Sequence, residues 1–280
     1  MHNLDQSNIT DAVLQSMQNT NDPRLKEIMS RLVQHLHDFA REVSLTEQEW
    51  LYAIEFLTRV GQTCDEKRQE FILLSDVLGL SSLVDMMNQR KPVGCTESTP
   101  IGPFHTQQSP EVGKNGDVAQ GAPGSVCYVE GAVRGLSGER VPHAQLEVWQ
   151  ADANGLYDVQ YEDLDHPRAR ATLVADEQGR FAFRSVLAQP YPVPTDGPVG
   201  HLLDATGRHA WRPAHLHFVV QAPGYETLVT HVFRRHDPYL EQDAVFAVRQ
   251  SLITEWSEQP DGSYRMSFDF VLNPCTEAGT

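Results

Sequence analysis

Apolar side chains recur every three or four positions through roughly the first 90 residues, then give way to short apolar runs separated by turn residues. The first pattern is that of amphipathic helices. Leu25, Ile28, Met29, Leu32, Val33, Leu36 and Phe39 form one such stripe. Asp22-Pro23 before it supplies an N-cap residue and a proline suited to the first helical position. Thr46-Glu-Gln-Glu49 has the form of a capping box, and Trp50, Leu51, Ile54 and Leu57 continue an apolar face behind it. Further helices are expected over about 65–77 and 81–87, and one more over about 9–17. From Lys91 to Gly124 the chain is rich in Pro, Gly, Ser and Thr and loses all periodicity. Such a stretch reads as a connector, and connectors this long within compact proteins are often functional.

From about Val126 the composition is that of strands. Cys127 to Val133, Gln145 to Trp149, Gly179 to Arg184, His215 to Gln221, Thr227 to Phe233 and Tyr264 to Leu272 are the candidates. Ala153-Asn-Gly155, Glu177-Gln-Gly179, Ala222-Pro-Gly224 and Pro260-Asp-Gly262 punctuate them. Several short strands with this punctuation suggest a β-sandwich or barrel. A single helix is expected late, over about 243–256. The chain therefore reads as α+β: a helical region over 1–95, a linker over 96–124 and a β-sandwich domain over 125–280.

Alternate residues of a strand share a face, so His215 and His217 point the same way. Their Cα atoms would lie roughly 6.5–7 Å apart at ~3.3 Å rise per residue, a span over which two imidazoles can meet at one ion. The pair needs further ligands before it defines a metal site, since the partners of an imidazole select the metal. His35-Leu-His37 has the same spacing but lies in a helical pattern, where i and i+2 diverge; it reads as solvated or packed.

Composition narrows the function. The 280 residues carry a formal net charge of -16 and no basic cluster, which argues against nucleic acid and anionic membrane surfaces as partners. No apolar run reaches the ~18 residues of a membrane span. The N-terminus lacks the basic and apolar segments of a signal peptide, so a cytoplasmic protein is expected. Cys64, Cys95, Cys127 and Cys275 are too widely spaced for a zinc ribbon. Two tyrosines offer themselves as further ligands: Tyr157 follows Asp152-Ala-Asn-Gly155, and Tyr191 lies in Gln189-Pro-Tyr-Pro-Val-Pro-Thr-Asp-Gly197. A tyrosine of ordinary pKa, ~10, is a poor ligand at neutral pH, but a trivalent cation favours the phenolate. Two imidazoles and two phenolates would leave Fe(III) with a net charge of about +1.

Three stretches in order make the sequence recognisable: Leu146-Glu-Val-Trp-Gln-Ala-Asp-Ala-Asn-Gly-Leu-Tyr157, Tyr191-Pro-Val-Pro-Thr-Asp-Gly-Pro198 and Gly207-Arg-His-Ala-Trp-Arg-Pro-Ala-His-Leu-His217. They resemble the intradiol ring-cleaving dioxygenases of the catechol and hydroxyquinol type. The resemblance reaches into the helical region through Phe71-Ile-Leu-Leu-Ser-Asp-Val-Leu-Gly79 and covers nearly the whole chain. It implies an N-terminal helical dimerisation region, in some members around a bound phospholipid, and a mixed-topology β-sandwich carrying the metal site. It further implies one non-haem Fe(III) per chain, held by Tyr157, Tyr191, His215 and His217. Tyr191 would also take a substrate proton, and Arg212 would stabilise charge on the activated substrate. Dioxygen would cleave the bond between the two hydroxylated ring carbons, and both its atoms would enter the product, so no reductant is needed.

Leu73-Leu-Ser-Asp76, Gly102-Pro-Phe104 and Tyr191-Pro-Val-Pro194 are closer to the hydroxyquinol subgroup than to the catechol one. By that match Leu73, Asp76, Ile101, Gly102, Pro103, Phe104, Val193, Pro194 and Val245 would line the ring pocket. Asp76 would accept a hydrogen bond from a third ring hydroxyl, which catechol lacks. The expected reaction is cleavage of hydroxyquinol to 3-hydroxy-cis,cis-muconate, the enol form of maleylacetate, in aromatic degradation. A catechol 1,2-dioxygenase giving cis,cis-muconate is the alternative within the class, and a metal-free β-sandwich binding module the alternative outside it. One position departs from the catechol-cleaving pattern: His231 stands where those members usually have Gln. A His there keeps a hydrogen-bonding role or titrates near neutrality, and is not carried over as a ligand.

Overall fold

The computed structural model describes residues 3–66, 68–106 and 109–275. The described chain forms two compact units that divide between Arg59 and Val60. The smaller contains α1 (Ile9–Ser16), α2 (Pro23–Glu42) and most of α3 (Glu47–Thr63). Both long helices start as their sequences dictate. The Asp22 carboxylate accepts the amides of Arg24 and Leu25 at 2.8 and 3.1 Å, with Pro23 at the first position of α2. Thr46 and Glu49 form the reciprocal capping box of α3, at 3.3 and 2.9 Å. His37 meets the hydroxyl of Thr10 at 2.9 Å and His35 faces solvent, so this pair is packed and solvated as expected.

The larger unit opens with α4 (Glu70–Val77) and α5 (Leu80–Asn88). The strands are β1 (Gly116–Asp117), β2 (Val126–Gly135), β3 (Gln145–Gln150), β4 (Arg170–Val174), β5 (Arg180–Val186) and β6 (Tyr191–Pro192), followed after α6 (Pro198–Ala205) by β7 (Trp211–Arg212), β8 (His215–Gln221), β9 (Leu228–Arg234), β10 (Ile253–Thr254), β11 (Trp256–Glu258), β12 (Tyr264–Ser267) and β13 (Phe270–Leu272). One sheet has the order β1-β5-β2-β12-β11, with β13 also paired to β2. The other runs β10-β9-β8-β3-β4, and β6 and β7 make a small ladder of their own. Parallel and antiparallel pairs occur in both large sheets. One core lies between them: Cys127, Val129, Phe181, Phe183 and Phe270 from the first sheet meet Leu146, Val148, Leu216, Phe218 and Val220 from the second. The fold is α+β, with most helices near the N-terminus and a mixed β-sandwich after them.

Several features differ from the sequence expectation. The helical region was expected to extend to residue 95, yet α4 and α5 belong to the sheet-bearing unit. Buried Glu70 accepts the amide of Val199 at 3.1 Å, and Ser82 donates to the carbonyl of Val245 at 3.0 Å. The helix expected over 243–256 does not form; the segment holds one short 3-10 turn, Gln250–Leu252, then strand β10 and the start of β11. Its Asp243 carboxylate accepts the amides of Val245 and Ala247 and pairs with Arg212, a local alternative to helical hydrogen bonding. Strand β4 and helix α6 were not foreseen. The linker over 96–124 lies along the sheets, hydrogen-bonded through Thr96, Thr99, Val112, Asn115 and Val118. No helix among the described residues is long and apolar enough to cross a membrane.

A buried ion pair ties the linker to this unit. Arg170 on β4 donates from Nε to Asp158 at 2.7 Å and makes a second contact with it from Nη2. The same guanidinium donates to the Phe104 carbonyl at 3.0 Å and to Thr106 at 3.1 Å. Removing one partner of a buried pair strands the other charge, so Arg170→Ala is expected to lower stability by about 3–5 kcal/mol in urea unfolding. A loss below about 1 kcal/mol would place the pair in a wetter setting than the structure gives it.

Candidate metal centre and cleft

Strand β8 is central in its sheet and buried on both faces. Its even residues enter the sandwich core, so alternation turns His215, His217 and Val219 to the opposite face. The antiparallel register sets Trp149 of β3 on one side of His217 and His231 of β9 on the other. Trp149 stacks on the His217 ring at 4.7 Å and 10°. The two tyrosines arrive from loops. Asp152 folds the turn before Tyr157 by accepting the Asn154 amide at 2.8 Å and the Tyr161 hydroxyl at 2.6 Å, and the Tyr157 amide donates to Gln160 at 2.9 Å. Gly155 sits there at φ +73°, and a Cβ on it would stand 3.2 Å from Tyr191 Cβ, so the left-handed turn and the close approach both call for glycine. Tyr191 is paired with Arg212 across the β6–β7 ladder.

The four side chains converge. Tyr157 Oη lies 3.2 Å from Tyr191 Oη, 2.8 Å from His217 Nε2 and 3.4 Å from His215 Nε2, and the two Nε2 atoms are 3.2 Å apart. All four residues are buried. His215 Nδ1 donates to the Pro213 carbonyl at 2.7 Å, which leaves its Nε2 lone pair facing the cluster. Burial, with Arg212 second, pushes the His215 pKa down to about 3. Burial does the same to His217, taking it well below the ordinary value, and then the neighbouring imidazoles. Both are therefore neutral at pH 7, the form that binds metal. Burial raises the Tyr157 phenol well above its ordinary value, so without a cation it stays protonated.

Arg212 is buried beside the cluster. Its Nη1 stands 3.2 Å from Tyr191 Oη and 3.3 Å from His215 Nε2, and its Nε donates to Asp243 at 3.1 Å. Burial by itself would push the guanidinium pKa down; the Asp243 carboxylate and the phenols outweigh it and hold the charge.

A cleft of about 930 Å³ opens onto this centre. Of the four converging residues, Tyr191 lines it, as do Arg212 and His231. Leu73, Asp76, Gly102, Pro103, Phe104, Val193, Pro194 and Val245 line it too. Ile101, expected with them, is not on this wall and is 42% exposed. Phe104 stacks on Tyr157 at 4.5 Å. Asp76 is half-buried, and that burial raises its carboxyl pKa. His231 does not titrate near neutrality; burial and then His215 take its pKa well below the usual range. Its ring joins His215 and His217 in a group of donors within 4.8 Å of one another. Asp243, Thr99 and Trp149 were not assigned roles from sequence. Trp149 sits inside a recognised motif, whereas Thr99 lay hidden in the linker and Asp243 in the misread helix.

The comparisons agree with this geometry. The family described as "Dioxygenase" matches residues 102–274, and that described as "Catechol dioxygenase N terminus" matches 22–96. The chain is 61% identical to the 6-chlorohydroxyquinol 1,2-dioxygenase of Cupriavidus pinatubonensis, over 98% of this chain and 99% of that one. It is 49% identical to the hydroxyquinol 1,2-dioxygenase of Rhodococcus opacus, over 95% and 93%. The crystal structure of the Pseudomonas putida hydroxyquinol 1,2-dioxygenase superposes with a TM-score of 0.91 at 44% identity, covering 96% of this chain and 98% of that one. The chain belongs to the intradiol ring-cleavage dioxygenases and is an enzyme of that class.

Proposed function

We propose that this enzyme cleaves hydroxyquinol with O2 between its adjacent hydroxylated carbons, giving 3-hydroxy-cis,cis-muconate, the enol form of maleylacetate. We infer that Tyr157, Tyr191, His215 and His217 hold one Fe(III). The convergence of these four buried donors, two of them imidazoles held neutral, carries the metal assignment. The donor set fits a hard trivalent ion, because its charge offsets the cost of forming buried phenolates. Bound there, the iron supplies Lewis acidity and an electron-accepting centre to the aromatic ring.

The residues of the chain do the rest. Tyr191 is the tyrosine that the cleft reaches, so as a phenolate it is the group placed to take a proton from an incoming hydroxyl. Arg212, fixed by Asp243, presents Nη1 beside Tyr191 and stabilises negative charge on the bound ring. Leu73, Pro103, Phe104, Val193, Pro194 and Val245 supply the apolar walls. Asp76 stands among them as an acceptor for the third hydroxyl. Catechol lacks that hydroxyl and would forgo this hydrogen bond, leaving Ser81 as the partner of the carboxylate, at a cost of about 1–3 kcal/mol.

The helical unit supports a homodimer. Leu25, Ile28, Leu32, Leu36 and Phe39 on α2 and Trp50, Leu51, Ile54 and Leu57 on α3 are each between 43% and 55% exposed in the single chain. An apolar surface of this extent marks an interaction site, and closed homo-oligomers are mostly isologous dimers. A phospholipid chain buried with it has the matching chemistry.

Three measurements test these readings. His217→Ala is expected to lose bound iron, the visible tyrosinate-to-iron absorption and activity together; retained iron with full turnover would sink the ligand assignment. On a panel of hydroxyquinol, its 6-chloro derivative, catechol and protocatechuate, hydroxyquinol should give the highest kcat/KM. Asp76→Ala should then lower that value ~10-fold more on hydroxyquinol than on catechol, in line with one lost hydrogen bond to a charged group. Equal wild-type efficiency on the two would leave the class and remove the substrate. In sedimentation at micromolar concentration the 31.4 kDa chain should run as a dimer, and solvent extraction should release phospholipid; a monomer, or an extract without lipid, would remove the corresponding part.

A further inference from the structure

We propose that His231 is a neutral hydrogen-bond donor to a reacting oxygen in the cleft, and not another ligand of the metal, with Thr99 setting its tautomer. The inference rests on the iron assignment above and adds a residue to it. The nitrogens of His215, His217 and His231 lie within 4.8 Å of one another, which by distance alone looks like a three-histidine metal face. Hydrogen bonding separates them. His215 donates its Nδ1 proton to the Pro213 carbonyl, so its Nε2 keeps a lone pair. In His231 the sense is reversed. Thr99 is fully buried, and among the described residues its hydroxyl has one partner, His231 Nδ1. A buried hydroxyl must place its proton on an acceptor, so Thr99 donates and Nδ1 accepts. The one proton of the neutral ring then sits on Nε2. That atom is buried and has no hydrogen-bond partner among the described residues. The residue is 1% exposed, and it lines the cleft with Tyr191 and Arg212.

The ring is also held in place. The strand register sets His231 opposite His217, with ring centroids 4.1 Å apart, and Phe233 stacks on it at 5.5 Å. A fixed, buried N–H without an acceptor, on a ring that lines the cleft, is suited to bind an oxygen that gains negative charge, as other preorganised donors do. Two oxygens have that chemistry: a deprotonated oxygen of the aromatic substrate, and an oxygen atom derived from O2.

The test uses iron-loaded holoenzyme and the variants His231→Leu, His231→Gln and Thr99→Val. It reads iron per chain, visible absorption, anaerobic binding of hydroxyquinol, and kcat/KM for hydroxyquinol and for O2. His231→Leu should keep the wild-type iron content and absorption band while losing ~10²-fold in kcat/KM, the usual effect of removing one such donor. His231→Gln, whose amide still donates, should recover most of the loss. Weakened anaerobic binding would assign the donor to a substrate oxygen. Unchanged anaerobic binding with a lower kcat/KM for O2 would assign it to the O2-derived oxygen. Loss of iron from a folded His231→Leu would make His231 a ligand and overturn the proposal, while wild-type iron and ring cleavage would still support the parent reading. Wild-type rates in iron-loaded His231→Leu would overturn it as well. If the leucine variant fails to fold by circular dichroism, Thr99→Val decides. Lower rates with iron retained support the donor, and wild-type rates or lost iron refute it.

Discussion

The site depends on burying one strand on both faces. Leu216, Phe218 and Val220 of β8 are fixed in the core between the sheets, so His215 and His217 cannot turn away from the opposite face. A slip of one residue would place imidazoles in the apolar core and leucine in the proposed metal centre. The pairing that holds β8 between β3 and β9 is therefore also what sets the geometry of the two proposed histidine ligands, and it delivers Trp149 and His231 to the two sides of His217.

Around that strand, buried charge is used in pairs. Arg212 with Asp243 and Arg170 with Asp158 are both nearly inaccessible to solvent. Neither pair is an economical source of stability, because desolvating two charges offsets much of their attraction. Each instead joins separate parts of the chain. The first connects the Tyr191 ladder to the segment carrying Val245, and the second connects β4 and the loop after Tyr157 to the linker carrying Phe104. The cleft walls are thus set by the same contacts that fix Tyr191 and Arg212, and burial keeps the imidazoles neutral.

The late segment shows how local pattern misleads. Residues 243–256 carry a helical spacing of apolar positions, yet Asp243 satisfies neighbouring amides and a distant guanidinium at once. Only the fold brings that guanidinium there. A similar limit applies to Ile101: its neighbours Gly102, Pro103 and Phe104 line the cleft, but the turn of the backbone leaves Ile101 off that wall. Motif matching places a stretch in a site without saying which way each side chain faces.

By itself the sequence determined the elements whose cause is local. Asp22, Thr46 and Glu49 cap helices through residues two or three positions away, Pro23 stands at the first position of α2, and period-two alternation fixes the common face of His215 and His217. The motifs around Tyr157, Tyr191 and His217 carried the resemblance to the family, because three long stretches in one order rarely match by chance. The tertiary structure alone decided that α4 and α5 belong with the sheets, that Asp243 clamps Arg212, and that Thr99 meets His231. Each of these joins positions far apart in the chain, and hydrophobic periodicity holds no information about which distant polar groups will share a buried hydrogen bond.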